Sequence, residues 1–214
     1  MLKTIKKITH KKLFTTPSHS QKLALFSKLK QFYKYDISET DTHNPQEALK
    51  KSQERAAKIY GTKSTHYLTN GSTSGVIASV LTCTSKGDNV LLWDKAHQCH
   101  LNAVKLAGAN PIFYELEKDS EWGIYKAIKA SKLEQYLKQA PIKAVIVTSP
   151  SYYGVISDIK RIKEVCQKYN SYLIVDEAHG ALYPFGVRES AIYQGADFII
   201  QSLHKVSDQN ESTN

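Results

Sequence analysis

In this chain a lysine, several histidines, an aspartate and a run of hydroxyls recur at one kind of place, just after a short apolar run. Lys205 follows the run Asp197–Gln201 in the string Gln201-Ser202-Leu203-His204-Lys205. An amine beside a hydroxyl (Ser202) and an imidazole (His204) suits attack on a carbonyl compound. It attacks only when neutral, a state that a cationic or apolar setting promotes. Asp176 closes the run Tyr172–Asp176 and is followed by Glu177-Ala178-His179-Gly180. A carboxylate delivered by an apolar strand is costly to bury unless it meets a cation. His97 ends Asp94-Lys95-Ala96-His97, where a flat ring can stack on a planar ligand. Thr69-Asn70-Gly71-Ser72-Thr73-Ser74-Gly75 combines chain-turning glycines with three hydroxyls, Ser72, Thr73 and Ser74. At a helix start these form an anion cradle. Thr148-Ser149-Pro150-Ser151-Tyr152-Tyr153-Gly154 reads as a rigid turn whose tyrosines line a pocket or cover an edge.

Taken singly, each string also fits a plain structural role. A Ser/Gly loop caps a helix without any ligand, and Asp94–His97 is an ordinary polar helix start. Neither the Walker spacing nor Gly-x-Gly-x-x-Gly is present, so a nucleotide is not favoured. Asp-Glu-Ala-His is shared with helicases, but these need an upstream phosphate loop with lysine, and Gly71–Gly75 has none. His97, Cys99 and His100 crowd together without a second ligand cluster at zinc-finger spacing, so no metal is expected. Taken together, the strings match the needs of pyridoxal 5'-phosphate. That cofactor requires a phosphate cradle, a stacking ring, a carboxylate facing the ring nitrogen, and a lysine for the Schiff base.

The elements that must position these residues follow from patterning. Short, often β-branched runs predict strands at His66–Thr69, Val90–Trp93, Pro111–Glu115, Ala144–Thr148, Tyr172–Asp176 and Asp197–Gln201. Helices are expected between them at Gly75–Thr84, His97–Ala107, Ser131–Gln139 and Asp158–Tyr169. An earlier helix is capped by Asn44, has Pro45 in its first position and ends near Gly61. Alternating strands and helices imply an α/β fold, a mostly parallel sheet with helices on both faces. Ligands in such a sheet bind beyond the carboxyl ends of the strands, where the strings above stand.

These strings resemble the Orn/Lys/Arg decarboxylase family, within the aspartate-aminotransferase fold group. The matching segments are Thr16-Pro17-Ser18-His19, Thr69–Gly75, Asp94–His97, Thr148–Gly154, Asp176–Gly180 and Gln201–Lys205, in the family's order. Ser18 stands where that family has glycine. The resemblance implies a three-layer αβα fold and a Schiff-base lysine at Lys205. It implies that Asp176 pairs with the ring nitrogen, that His97 stacks on the ring, and that His179 lies beside the cofactor. Ser72, Thr73 and Ser74, with Ser202 and His204, would hold the phosphate. Lys205 and His97 are the implied catalytic residues. The implied reaction is decarboxylation of a basic amino acid (ornithine, lysine or arginine) to a polyamine-type amine, and the implied assembly is a homodimer. The string Ser-x-His-Lys after Asp-Glu-Ala-His-Gly favours this branch over an aminotransferase or lyase of the same fold group. A non-catalytic remnant or regulator is the reading from another class.

Charge and length refine these expectations. Of 29 basic residues, nine lysines fall within residues 1–35, which hold no acid; the remaining 20 face 20 acids. The net charge of +9 therefore sits on residues 1–35, within a basic N-terminal arm, residues 1–40. Its apolar residues Leu25, Leu29, Phe32 and Tyr33 fall at helical spacing, as in a helix packed on its own domain with a solvated lysine face. No nucleic-acid or membrane partner is expected, and no apolar run approaches membrane-span length. Cys83, Cys99 and Cys166 make no disulfide framework, which suits a cytoplasmic setting. Residues 41–206 read as part of the cofactor-binding large domain and 207–214 as a disordered tail. The chain ends nine residues after Lys205, so it is expected to be truncated before the antiparallel strand that would insert between the first and sixth strands.

Overall fold

The computed structural model describes residues 44–186 and 189–205. The basic arm, the string Thr16–His19 and the tail 207–214 lie outside the described residues. Helix α1 (Glu47–Tyr60) ends at Gly61, whose φ of +67° is the left-handed cap anticipated for it. Its start differs: Gln46, not Asn44, is the cap residue, and Asn44 accepts a 2.8 Å bond from the Gln46 amide.

Next come α2 (Gly71–Cys83), β1 (Asn89–Trp93), α3 (Gln98–Leu106), β2 (Asn110–Tyr114) and α4 (Ala130–Gln139). They are followed by β3 (Ala144–Thr148), α5 (Ile159–Lys168), β4 (Tyr172–Glu177) and β5 (Phe198–Gln201). Every described pairing between these strands is parallel, in the order β2-β1-β3-β4-β5. The anticipated strand at His66–Thr69 does not form. Instead Leu68 lies over Gly75, where an added Cβ would come within 2.8 Å of Leu68 Cδ1. The Tyr67 hydroxyl meets Ser52 of α1 at 3.0 Å. The segment therefore covers helices rather than extending the sheet. Correspondingly α2 begins at Gly71, four residues before the anticipated Gly75, because Gly71 at φ +73° turns the chain directly into the helix.

Strand alternation divides the core into two layers. Leu91, Val145, Val147, Leu173 and Val175 pack against Leu133 and Leu137 of α4 and Ile159, Ile162 and Cys166 of α5. Val90, Leu92, Ala144, Ile146, Ile174 and Ile200 pack against Val76 and Val80 of α2 and Cys99, Ala103 and Val104 of α3. This is the expected three-layer αβα architecture. α5 forms as anticipated, with Asp158 accepting a 3.1 Å bond from the Arg161 N–H.

The tightest helix–sheet approach is at Gly75, where a Cβ would also lie 3.1 Å from Ile200 Cγ2. Gly75→Val should therefore overpack this contact and lower stability by about 1–3 kcal/mol. The check is a lower urea midpoint at unchanged slope.

Candidate active site

Period-two alternation puts Asp176 on the same sheet face as Ile174, beneath α2 and α3. The side chain is buried at the carboxyl end of β4. Its Oδ2 lies 2.8 Å from His100 Nε2, and its Oδ1 accepts from the Ala178 N–H at 3.1 Å. Burial pushes the Asp176 carboxyl up. The His100 bond, the Ala178 N–H and the charge of Lys205 more than offset this, so it rests below its ordinary value of 3.8. The carboxylate is thus ionised and accepts the His100 hydrogen.

Lys205 closes a single-turn helix, Leu203–Lys205, after β5. Its Nζ stands 3.1 Å from His179 Nε2. Burial, and then the neighbouring Lys205 charge, hold the His179 imidazole below its ordinary value. A neutral ring with Nε2 accepting from the ammonium assigns the His179 hydrogen to Nδ1. Ser202 is buried and shares a 3.1 Å hydrogen bond with His204 Nδ1. Gly180 keeps the loop after β4 close. A Cβ there would meet Glu177 Cγ at 2.8 Å and Pro150 Cδ at 2.9 Å.

Ser72, Thr73 and Ser74 occupy the first turn of α2 rather than a loop before it. Asn70 makes no side-chain cap and the first turn holds no acid, so the turn's N–H groups face outward with the helix dipole behind them. Ser74 Oγ donates to the Gly71 carbonyl at 2.7 Å. His97 is exposed and caps α3, its Nδ1 accepting from the Cys99 N–H at 3.3 Å. The structure thus gathers Asp176, His179 and Lys205 into one electrostatic cluster, while His97 stands at its rim, bonded to its own helix.

Three residues named in the strings, but given no site role there beyond a pocket-lining alternative for Tyr152, lie against the site. His100 is one turn past His97 on α3 and bonds Asp176; the i, i+3 spacing of the two histidines was the available signal. Glu177, adjacent to Asp176 but on the opposite face, is buried and accepts from Ser190 Oγ, the Ala191 N–H and Gln201 Nε2 at 2.7–2.8 Å. It ties β4 to β5 and to the loop between them. Its carboxyl is nonetheless raised, because burial outweighs those three bonds. Tyr152 packs edge-on against the His179 ring, with centroids 5.6 Å apart.

The donor atoms of Cys99, His100 and Asp176 come within 4.8 Å of one another. As placed, they are committed elsewhere: Asp176 takes the His100 hydrogen, and burial pushes the Cys99 thiol up to about 11, so it keeps its proton at neutral pH.

The ring-nitrogen, amine and phosphate requirements of pyridoxal phosphate are all met here. They are met by an ionised, buried carboxylate at the end of β4, a lysine beyond β5 whose charge reaches it, and an uncapped, hydroxyl-rich start of α2. The Orn/Lys/Arg decarboxylase major-domain model matches residues 9–210. The chain is 32% identical over 205 residues to the uncharacterized protein YaaO of Bacillus subtilis (strain 168), covering 90% of this chain and 42% of that protein. It is 31% identical over 169 residues to an arginine decarboxylase of the same organism, covering 78% of this chain and 34% of the relative. The chain therefore spans roughly two-fifths or less of the curated relatives it matches. Among solved structures, a SepCysS–SepCysE N-terminal domain complex aligns with TM-score 0.65 and 20% identity, over 83% of this chain and 46% of that one. Ureidoglycine–glyoxylate aminotransferase from Bacillus subtilis aligns with TM-score 0.58 and 19% identity, over 72% and 38%. These likenesses establish the fold of the pyridoxal phosphate-dependent aminotransferases. With its sequence matched over residues 9–210, the chain belongs to the Orn/Lys/Arg decarboxylase family.

Proposed function

We propose that this chain carries the pyridoxal phosphate-binding part of a basic amino-acid decarboxylase, with arginine the first substrate to test. The observation that carries the reading is a buried, ionised Asp176 at the end of β4, held by His100 and the Ala178 N–H, with Lys205 beyond β5 near enough for its charge to help lower that carboxyl. The arginine decarboxylases among its relatives support the substrate class. When bound, the cofactor supplies an electron sink that takes up the electron pair left on the substrate's α-carbon as carbon dioxide departs.

The chain's own residues have distinct tasks in this reading. Asp176 holds positive charge on the ring nitrogen. Lys205 would hold the cofactor through its amine and would hold a proton for the substrate's α-carbon. His179, neutral beside it, accepts a hydrogen bond from Lys205 and orients the amine. The first turn of α2, with Ser202, takes the phosphate. His97, at the start of α3, would offer its ring for stacking on the cofactor. Tyr152 packs edge-on against the His179 ring. All three cysteines are free and buried, which supports a reducing, cytoplasmic setting. Among the described residues no helix is long and apolar enough to cross a membrane.

The anchoring role is tested by reductive trapping. Chain incubated with pyridoxal phosphate and reduced with borohydride should carry the cofactor's mass on the peptide containing Lys205. Lys205→Ala should carry none there and lose the visible absorption band; an unchanged band overturns the assignment. Amine release from arginine, lysine and ornithine then ranks substrates.

The two carboxyls of β4 act on stability in separate pH windows. Asp176, lowered in the folded chain, adds stability above its ordinary 3.8 that is lost as pH falls through the folded value. Glu177, raised, adds stability below its ordinary 4.5 that is lost as pH climbs through the folded value. Melting temperatures recorded from pH 6 to pH 2 should therefore fall less steeply at the acid end for Asp176→Asn than for the parent chain.

A further inference from the structure

His100 is almost fully buried, at 1% exposure, yet only one of its ring nitrogens has a partner. Nε2 meets Asp176, while Nδ1 finds none among the described residues. A residue serving only to fill space under α3 would carry no such unpaired polar atom, since burying one is unfavourable and an aliphatic side chain would avoid it. The imidazole's presence is explained by the bond it makes. That bond has a definite geometric effect. With Oδ1 fixed by the Ala178 N–H and Oδ2 by His100, the plane of the Asp176 carboxylate is set by two anchors from different elements. The remaining lone pairs are left for a donor arriving from the strand-end side.

We propose that His100 is a positioning residue for the cofactor's ring nitrogen, acting through Asp176: it donates from Nε2 to Oδ2 and so aims the carboxylate. This rests on the cofactor reading above. It separates two histidines one helical turn apart, since His97 caps α3 at the rim while His100 works beneath it. His100 therefore contributes to recognition of the pyridine nitrogen and not to recognition of the phosphate or the aldehyde.

The test compares two probes, pyridoxal phosphate and its analogue with carbon in place of the ring nitrogen, by fluorescence titration of the 214-residue chain. His100→Leu should weaken pyridoxal phosphate about tenfold relative to the analogue. His100→Gln, whose amide can donate in place of Nε2, should keep the parent's ratio of affinities to within about threefold. Equal weakening of both probes by His100→Leu, or a Gln variant that behaves like Leu, would make His100 a packing residue and overturn the inference. Should His100→Leu fail to fold, His100→Asn, whose amide is too short to reach Oδ2, takes its place with the same expectations. A parent chain that takes up neither probe counts against the cofactor reading instead. The Asp176 carboxyl titration, followed by carbon-13 NMR without cofactor, tests the His100–Asp176 bond on which the inference depends. It should move upward in His100→Leu and stay near the parent in His100→Gln; no movement in either overturns it.

Discussion

A carboxylate placed inside a sheet sandwich must be compensated or it will be protonated, and Asp176 is held ionised at the end of a strand in the middle of this one. Its partners do not come from its own strand. His100 belongs to α3, the Ala178 N–H to the turn after β4, and the Lys205 charge to the segment after β5. The cost of burying one negative charge therefore constrains three separate segments at once. Each is drawn toward the same point beyond the strand ends. The candidate site is the set of groups assembled around that charge.

The neighbouring carboxyl shows how strongly the face of a strand decides the chemistry. Glu177 comes directly after Asp176, so its side chain leaves the opposite face of the sheet. Among the described residues it receives three hydrogen bonds from neutral donors and pairs with no cation, and burial pushes it up rather than down. Two adjacent acids thus have opposite fates. Asp176 stays charged and available to a ligand. Glu177 becomes a junction that joins β4, β5 and the Ser190–Ala191 turn.

Much of this was legible in the sequence because parallel strands are short, apolar and punctuated by polar strings at their carboxyl ends. Val90–Trp93, Ala144–Thr148 and Tyr172–Asp176 announce themselves by composition, and beyond the last two Tyr152 and His179 meet in space, whereas His97 beyond the first bonds its own helix. His66–Thr69 carried the same signal and formed no strand. Composition records that a segment suits a ladder, not that a neighbouring strand is present to complete it, and Leu68 was drawn to the gap over Gly75. His100 was passed over for a related reason. Its position invited comparison with Cys99 and His97 as metal ligands, whereas its partner, Asp176, lies 76 residues away and is brought near only by helix α3 packing on the sheet.

The reactive end of the site depends on a weaker structural element than the charge does. Lys205 lies four residues beyond the end of β5, and β5 is the edge of the five-stranded sheet, paired along one side only among the described residues. An edge strand holds the residues at its carboxyl end less firmly than an interior one. Two interactions make up part of the difference. The Gln201 amide is fastened to Glu177 across the register pair that ends the β4–β5 ladder, and the Lys205 amine is held against His179. Both run back to β4 and the turn after it. The amine and the carboxylate that would bracket a cofactor are thus referenced to one strand, and the junction at Glu177, which touches neither, keeps the distance between them.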